Sequence, residues 1–216
     1  MQWLDLAFIH FETEAAGLKK LLPAGVELDL YDGKAWIGIV PFRMEDVTKR
    51  GWPAPSFLCD FPEINVRTYV TSGGKRGVWF LSLNATNPLA VWVARTFFHA
   101  PYFTAPVALT ETGAGIDFSA RRGRLEFNAR YVPGKAAPAA PGSFAEWATE
   151  RYCLYSFSRG GRLFRTEVQH PRWPLQRAQI QIETNTLSTI PLGAMHPEVL
   201  FSRRLDVVMW PLEQIN

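Results

Sequence analysis

The chain has 216 residues and a mass of 24.4 kDa, and its 23 Lys and Arg residues against 20 Asp and Glu give a formal net charge of +3. Because 47% of the residues are hydrophobic, intrinsic disorder is excluded and a sizeable core is expected. No apolar run reaches the roughly 18 residues that span a bilayer, and basic residues are not clustered, so we expect neither a membrane nor a nucleic-acid partner. The N-terminus lacks the basic region of a signal peptide, and we therefore expect a cytoplasmic protein.

Taken in chain order, the predicted elements are mostly strands. The predicted strands span residues 1–11, 26–30, 35–42, 63–71, 78–84, 104–111, 115–121, 123–132, 162–170, 173–184 and 204–210. Short helices are predicted over 12–22, 87–98 and 144–151, with a loop over 42–60 and a linker over 133–142. No change in composition divides the chain, so we expect a single α+β domain over residues 1–216 that is mainly antiparallel β. The number of strands favours a closed β-barrel with short flanking helices.

Local turn and cap signals support these boundaries. Asp32-Gly33 is typical of a tight hairpin turn. Asn87 directly precedes a proline, which combines a favourable helix N-cap with proline at the first helical position. Ser143, followed three residues later by Glu146, forms a capping box. These signals predict the turn of one hairpin and the starts of two helices.

The cysteines and histidines show no spacing that indicates a metal or redox centre. Cys59 and Cys153 are far apart and belong to no C-x-x-C pair. The four histidines are scattered, at positions His10, His99, His170 and His196. Glycine-rich phosphate loops and nucleophile elbows are absent as well. We therefore expect no metal and no cofactor, since a metal site would have to be assembled from distant segments.

One face of the strand at 63–71 carries side chains suited to binding a polar ligand. Alternate residues of a strand share a face. The polar face consists of Glu63, Asn65, Arg67 and Tyr69. The same alternation predicts a shared face in the next strand, made of Val78, Phe80, Ser82 and Asn84. The polar face either lies in water on a surface strand or points into a barrel and binds a ligand, and alternation alone does not decide between them.

Several short segments, spread over most of the chain, carry a resemblance to a known family. These segments are Leu21–Pro23, Val26–Asp29, Asp32–Trp36, Glu63–Val70, Ala94–Tyr102, Arg151–Tyr152 and His170–Leu175. With them the chain resembles the YqjF-like family of uncharacterised bacterial proteins, which is grouped with the acetoacetate-decarboxylase-like superfamily. The resemblance implies a mainly antiparallel β-barrel flanked by short helices, in agreement with the strand pattern.

The sequence departs from the superfamily pattern at the catalytic position. The decarboxylases of the superfamily carry a Gly-Arg-Glu segment followed four residues later by Pro-Lys-Lys, and one of these lysines forms a Schiff base with the keto acid. Here Arg95 and Pro101 match at the same spacing, but Tyr102 and Phe103 occupy the lysine positions. The six lysines of the chain all fall in predicted helices, turns, loops or linkers. We therefore expect no Schiff-base decarboxylation.

A ligand pocket is the part of the superfamily pattern that remains. Glu63 corresponds to a glutamate that lines the decarboxylase active site, and Tyr102 is expected to point where the lysine would. Glu63 and Tyr102 are thus the candidate catalytic residues, with Glu63 acting as acid or base if burial raises its pKa. The candidate ligand-binding residues are Asn65, Arg67, Tyr69, Arg95, His10 and His170. Either of the arginines in this set is suited to hold a carboxylate.

Three functional classes remain open. The first is a lyase or isomerase that uses acid–base chemistry on a small anionic or polar organic molecule. The second is a non-catalytic protein that binds such a molecule in the same pocket. The third is a structural or interaction protein whose barrel is filled with side chains, in which Glu63 and Arg67 belong to an ion-pair network. A small-molecule ligand is the expected partner, and a homo-oligomer is compatible with the sequence.

Overall fold

The computed structural model describes residues 1–48, 59–193 and 196–215, and most of these residues lie in β-strands. The strands in this part of the chain are β1 (Gln2–Thr13), β2 (Glu27–Leu28), β3 (Ala35–Glu45), β4 (Phe61–Ser72), β5 (Lys75–Ala85), β6 (Tyr102–Thr104), β7 (Val107–Thr112), β8 (Gly115–Arg122), β9 (Leu125–Ala136), β10 (Cys153–Phe157), β11 (Leu163–Gln169), β12 (Gln176–Asn185), β13 (Glu198–Asp206), β14 (Val208–Met209) and β15 (Glu213–Ile215). The helices are α1 (Ala15–Lys19), α2 (Pro88–Phe97) and α3 (Phe144–Thr149). Within these described ranges, no helix is long and apolar enough to cross a membrane.

The helix starts follow the predicted caps. The Asn87 Oδ1 atom accepts hydrogen bonds from two backbone N–H groups of the first turn of α2, at 3.0 and 3.1 Å. At α3 the Ser143 hydroxyl oxygen accepts from the Glu146 N–H, while the Glu146 carboxylate accepts from the Gly142 N–H. Helix α1 is shorter than predicted, because β1 continues to Thr13 and takes the residues that the pattern assigned to the helix start.

Several strand boundaries differ from the prediction. Strand β10 was not predicted, because its five residues are too few for a periodic pattern to emerge. Strand β3 extends to Glu45, so the first residues of the predicted loop over 42–60 are in a strand. Residues 49–58 of that loop lie outside the described residues. The predicted C-terminal strand at 204–210 starts earlier, at Glu198, because β13 pairs with β1 along most of its length.

The sheet is one long, mainly antiparallel path of strands. Its order is β14-β11-β10-β5-β4-β3-β1-β13-β12-β9-β8-β7, with β15, β2 and β6 attached to β11, β4 and β5. Only the β10–β5 and β5–β6 pairs are parallel among the described strands. The closed barrel that the sequence predicted is not confirmed, since the hydrogen-bonded path ends at β14 and β7. The Ala105 N–H still donates to the Ala85 carbonyl, but Pro106 follows, and proline lacks the N–H that would continue this contact into β7.

The central strands β1, β3 and β4 are covered on both faces. On one face they pack against β7, β8 and β9 in a first core, which includes Ile9, Ile37, Ile64, Val66, Phe118 and Phe127. On the other face they pack against α3, β10 and the segment before β12 in a second core, which includes Phe8, Val40, Phe42, Tyr69, Trp147 and Trp173. The polar face of β4 belongs to this second side. It is therefore not a solvated strand face, because Glu63 is only 1% exposed and Arg67 only 8%.

A β-bulge changes the predicted faces of β5. In the β4–β5 ladder Arg67 lies opposite Phe80, whereas Val66 lies opposite Ser82, so one residue of β5 has no partner. Opposite residues of an antiparallel pair point to the same side. Ser82 and Asn84 consequently lie on the side of the first core, and the prediction that they share a face with Phe80 is wrong.

Candidate functional site

Glu63 and Tyr102 form a buried hydrogen-bonded pair. Strand β6 pairs in parallel with β5, which lies next to β4, and this places Tyr102 across β5 from Glu63. The Tyr102 hydroxyl donates to Glu63 Oε2 at 2.8 Å. Burial raises the pKa of Glu63 to about 8, against the opposing effect of hydrogen bonds from Tyr102 and Asn65. At neutral pH most of this carboxyl group carries a proton, which suits it to general acid–base chemistry.

Arg67 is a buried cation without an acidic partner among the described residues. Its guanidinium carbon lies 5.3 Å from the centre of the Phe8 ring and 5.6 Å from that of Tyr69. The Nε atom of Arg67 makes no hydrogen bond. Glu63 bonds with Tyr102 and Asn65 instead, so the ion-pair network considered from the sequence does not form between Glu63 and Arg67. A buried charge without a counter-charge is costly, so this site is electrostatically prepared for an anion.

His10 and Tyr69 form a second buried pair beside Arg67. His10 on β1, Gly38 on β3 and Arg67 on β4 are paired in one row across the sheet. The His10 Nε2 atom lies 2.6 Å from Tyr69 Oη. Burial, and then the positive charge of Arg67, lower the pKa of His10 to about 3, so the imidazole is neutral at physiological pH.

Gly38 makes room for this cluster. A Cβ atom at Gly38 would lie 2.9 Å from Tyr69 Oη and 3.5 Å from Arg67 Nε. Any side chain at this position would therefore displace the phenol or the guanidinium. The missing side chain lets residues of β4 reach across β3 towards β1, and this brings His10, Tyr69 and Arg67 together.

Two further residues of the site were missed by sequence reasoning. Arg151, which follows α3, donates to Asp29 Oδ2 at 2.5 Å, and its guanidinium carbon lies 5.0 Å from the Tyr69 ring centre. The Trp147 ring of α3 lies 4.5 Å from the same ring. Both residues lie in segments that the sequence analysis had noted. Arg151 belongs to a segment that carries the family resemblance, and Trp147 belongs to the capped helix. Neither signal indicated that these residues reach the polar face of β4.

His170 and Arg95 lie apart from the residues that the structure brings together. His170 Nδ1 is 2.7 Å from its neighbouring Pro171 carbonyl, and its ring stacks on Tyr152 at 4.6 Å. Its contacts towards the site are with the Arg151 carbonyl, 3.4 Å from His170 Nε2, and with the Trp173 ring at 5.3 Å. Arg95 lies in the last turn of α2, where its side chain is exposed. Of the two arginines predicted to bind a ligand, Arg67 is the one within the buried cluster.

A surface cavity lies next to the buried cluster, with Trp147 between them. The cavity has a volume of about 420 Å³. Its lining includes Tyr31, Asp32, Arg76, Glu146, Trp147 and Arg172. Trp147 lines the cavity and also packs against Tyr69 of the cluster, at 4.5 Å between ring centres. A second surface cavity, of about 370 Å³, is lined by His170, Tyr152 and Trp210 among others.

The described lysines lie away from this site. Lys34 pairs with Glu12 at 2.8 Å and Lys75 with Glu167 at 2.6 Å, and none of the five lysines in the described ranges is buried. Lys49 lies outside those ranges. The described residues also contain no group of three or more His, Cys, Asp or Glu side chains arranged to hold a metal ion.

Comparison with known proteins gives a family and a fold. The model of the DUF2071 family, described as uncharacterized conserved proteins, matches residues 1–206. The uncharacterized protein YqjF of Bacillus subtilis (strain 168) is 38% identical over 219 residues, which cover 98% of this chain and 90% of that protein.

The similar solved structures are acetoacetate decarboxylase-like. The acetoacetate decarboxylase of Legionella pneumophila subsp. pneumophila str. Philadelphia 1 has a TM-score of 0.67 at 15% identity, over 100% of this chain and 87% of that one. The enduracididine biosynthesis enzyme MppR complexed with pyruvate has a TM-score of 0.71 at 11% identity, over 100% and 89%. At these identities the similarity shows a shared fold alone.

Proposed function

Because the chain belongs to the DUF2071 family and has an acetoacetate decarboxylase-like fold, we propose that it binds a small organic carboxylate beside Arg67 and acts on it by acid–base chemistry through Glu63. The proposed ligand is a compound of a few carbon atoms, bound on the polar face of β4. Glu63 and Tyr102 supply the proton-exchanging pair, and Arg67, Asn65, Tyr69 and His10 line the binding region.

The single observation that carries the proposal is the buried and unpaired Arg67. A guanidinium group binds a carboxylate through two parallel hydrogen bonds, and such charge-assisted bonds are stronger than neutral ones. Asp29 already compensates the neighbouring Arg151, at 2.5 Å, so the cluster retains one uncompensated positive charge. A bound carboxylate would supply the missing negative charge.

Acid–base chemistry is supported by the raised pKa of Glu63, about 8, and by its place on the same face as Arg67. Four residues along a strand separate their Cα atoms by roughly 13 Å, so Glu63 and Arg67 would contact the two ends of one small ligand. Asn65 lies between them, and its Oδ1 atom is buried without a hydrogen bond. The face therefore offers a proton donor, a free acceptor and a cation in sequence.

The similar structures support the ligand class. One of them is a complex with pyruvate, a small carboxylate, and others are decarboxylases of the small carboxylate acetoacetate. Here Tyr102 stands where the superfamily has a lysine, so the proposed reaction is of the lyase or isomerase type without a covalent amine intermediate.

Binding is tested by calorimetric titration of pyruvate and of acetoacetate into the wild type and into the Arg67→Leu variant. We expect Arg67→Leu to weaken binding by about 10- to 100-fold, because a charge-assisted hydrogen bond contributes about 1.5–3 kcal/mol. Arg177→Leu removes an exposed arginine of β12 and is expected to change binding less than about twofold. Equal binding by wild type and Arg67→Leu, or no binding by the wild type, would refute the proposal.

Catalysis is tested separately from binding. In D₂O, proton NMR follows the exchange of the pyruvate methyl protons over the uncatalysed background. We expect the wild type to accelerate exchange and Glu63→Gln to abolish the acceleration while pyruvate still binds. Binding without acceleration in the wild type would favour the second candidate, a non-catalytic binding protein.

A further inference from the structure

Helix α2 has apolar side chains on two opposite faces. Towards the protein, Val91 belongs to the second core and Ala90 packs against it. On the other side, residues spaced three and four apart form an outer stripe that is exposed: Leu89, Trp92, Val93, Thr96 and Phe97. All of them except Thr96 are apolar. The outer face of a surface helix normally carries polar side chains, whereas a helix that is apolar on every side is normally buried.

The outer stripe leaves a large apolar area in contact with water. Trp92 and Phe97 are each 57% exposed, and Leu89 and Val93 are exposed as well. The Trp92 and Phe97 rings contact each other, with 5.9 Å between their centres, so the outer stripe is continuous. From their exposed fractions, the four apolar residues leave roughly 400 Å² accessible, as much as the largest apolar patch on a typical monomer, and such patches are often functional.

This area is comparable to the apolar area that a stable dimer buries. A standard interface buries about 800 Å² on each partner, of which a little over half is apolar. The outer stripe supplies roughly that apolar share on its own. Trp92 also belongs to the residue type that contributes most often to binding energy at interfaces.

The outer stripe is suited to pack against a copy of itself. Leu89, Val93 and Phe97 follow one another at intervals of four residues and form a ridge along the helix, with Val93 in the middle. When such ridges of two helices interdigitate, a two-fold axis beside Val93 places Leu89 of each helix near Phe97 of the other. The smallest side chain of the ridge then lies where the helices approach most closely.

The charges of α2 disfavour other classes of partner. The helix contains one charged residue, Arg95, and no acidic residue. A helix that lies on a membrane surface carries several Lys or Arg residues on its polar face, and nucleic-acid binding also needs clustered cations. The outer stripe itself is uncharged, which fits a second copy, because charged residues are depleted at the centre of protein interfaces.

We propose that the protein forms a two-fold symmetric dimer in which the outer stripes of two copies pack against each other across Val93. The dimer covers the apolar side chains that a single copy leaves in water. The proposal does not depend on the proposed function, because no residue of the outer stripe belongs to the candidate site.

The mass in solution tests the proposal. Light scattering after size-exclusion chromatography, at concentrations of about 1–100 µM, should give twice the 24.4 kDa of one chain, because interfaces of this size bind with micromolar affinity or better. Val93→Arg brings two like charges together at the axis and should raise the dissociation constant by at least about 100-fold. Trp92→Ala removes the largest side chain of the outer stripe and should raise it by at least about tenfold.

Each variant has a matched control elsewhere on the surface. Val132→Arg adds the same charge at a valine of β9 that is 40% exposed, against 37% for Val93. Trp210→Ala removes another exposed tryptophan. Both controls should keep the mass of the wild type. Circular dichroism records whether each variant folds, and if Val93→Arg does not fold, Trp92→Ala decides.

A disulfide bond locates the axis. Val93→Cys should form a covalent dimer on mild oxidation, because two Cβ atoms beside a two-fold axis come close to the roughly 3.5–4.5 Å that a disulfide spans. Val132→Cys should stay uncrosslinked. The native cysteines, Cys59 and Cys153, are buried and do not compete.

Three results would overturn the proposal. The first is a wild type that is monomeric over the whole concentration range. The second is a dimer that persists in folded Val93→Arg and Trp92→Ala variants. The third is a larger wild-type assembly whose mass Val93→Arg leaves unchanged, since loss of this interface should halve it. None of these results affects the proposed carboxylate binding, which is measured separately.

Discussion

At the scale of single residues, the protein treats its buried charges in three ways. The charge of Arg151 is compensated by Asp29 at 2.5 Å. Glu63 avoids an unpaired charge by keeping its proton, because burial raises its pKa to about 8. Arg67 can do neither, since a guanidinium group keeps its proton at any physiological pH and no described acid lies beside it. This contrast identifies Arg67 as the place for an anionic ligand.

Glu63 should make stability depend on pH. A carboxyl group with a raised folded-state pKa contributes stability that is fully present below its unfolded pKa, near 4.5, and is lost as pH rises towards about 8. The neutral amide in the Glu63→Gln variant mimics the protonated acid at every pH. We therefore compare the free energy of unfolding of the wild type with that of Glu63→Gln. The wild-type value should fall by a few kcal/mol relative to the variant between pH 5 and 8, because each pKa unit corresponds to about 1.4 kcal/mol.

Urea unfolding at a series of pH values measures this difference. Glu27→Gln changes an exposed glutamate of β2 and is the matched control, for which the difference should stay nearly constant with pH. A constant difference for Glu63→Gln as well would mean that Glu63 is ionised in the folded protein, and would remove it as a proton donor at neutral pH.

At the scale of elements, the site depends on the register of β1, β3 and β4. The row that contains His10, Gly38 and Arg67 brings together residues from three strands. The bulge in β5 next to this row turns Phe80 towards the site and Ser82 away from it. The glycine in the middle strand is the feature that lets the outer two side chains meet.

Replacing Gly38 by alanine tests this role. The new Cβ atom would lie 2.9 Å from Tyr69 Oη, closer than such contacts normally come, so the Tyr69 side chain must move beside Arg67. We expect Gly38→Ala to weaken carboxylate binding by at least about tenfold, because the donors lose their alignment. Gly160→Ala, whose nearest contact would be 3.7 Å, is the control and should bind normally.

Calorimetric titration of pyruvate into both glycine variants, with thermal unfolding recorded alongside, checks the prediction. Normal pyruvate binding by a folded Gly38→Ala variant would show that Arg67 and Tyr69 do not act from the positions described.

At the scale of the whole molecule, the described lysines lie outside the cores, whereas two arginines are buried. The five described lysines are exposed or half-buried, whereas Arg67 and Arg151 lie in the second core beside α3. Schiff-base formation needs an unprotonated amine, which burial or a neighbouring cation provides. The distribution of charge over the molecule therefore argues for recognition of a carboxylate rather than covalent capture of a carbonyl.

Borohydride trapping examines this conclusion. With acetoacetate or pyruvate and sodium borohydride, we expect the intact mass of the wild type to remain unchanged. Tyr102→Lys places an amine beside the buried Glu63, where desolvation lowers an amine pKa, and should gain the mass of one reduced adduct. A stable adduct on the wild-type protein would contradict the prediction and identify a reactive lysine.

Much of the fold and part of the site were predictable from the sequence. Asn87 and Ser143 cap the helices that their neighbours predicted, and the family resemblance is confirmed. The closed barrel is not confirmed, since the hydrogen-bonded path ends at β14 and β7, and the predicted faces of β5 are wrong because a one-residue bulge shifts the alternation. Arg95 was predicted as a ligand-binding residue because it matches the arginine of the superfamily segment, but α2 exposes Arg95.

The sequence by itself determined that Glu63, Asn65, Arg67 and Tyr69 share one strand face, because alternation is a local property of the chain. That Tyr102 takes the position of a lysine is what the family resemblance implies. Only the tertiary structure decided that this face is buried, that Tyr102 meets Glu63 across 39 residues and that His10 meets Tyr69 across 59. The residues that bury this face and bond to it come from segments distant in sequence. They raise the pKa of Glu63, and none of the described ones supplies a counter-charge to Arg67. Desolvation is a property of the folded molecule, so the chemistry of the site emerges only there.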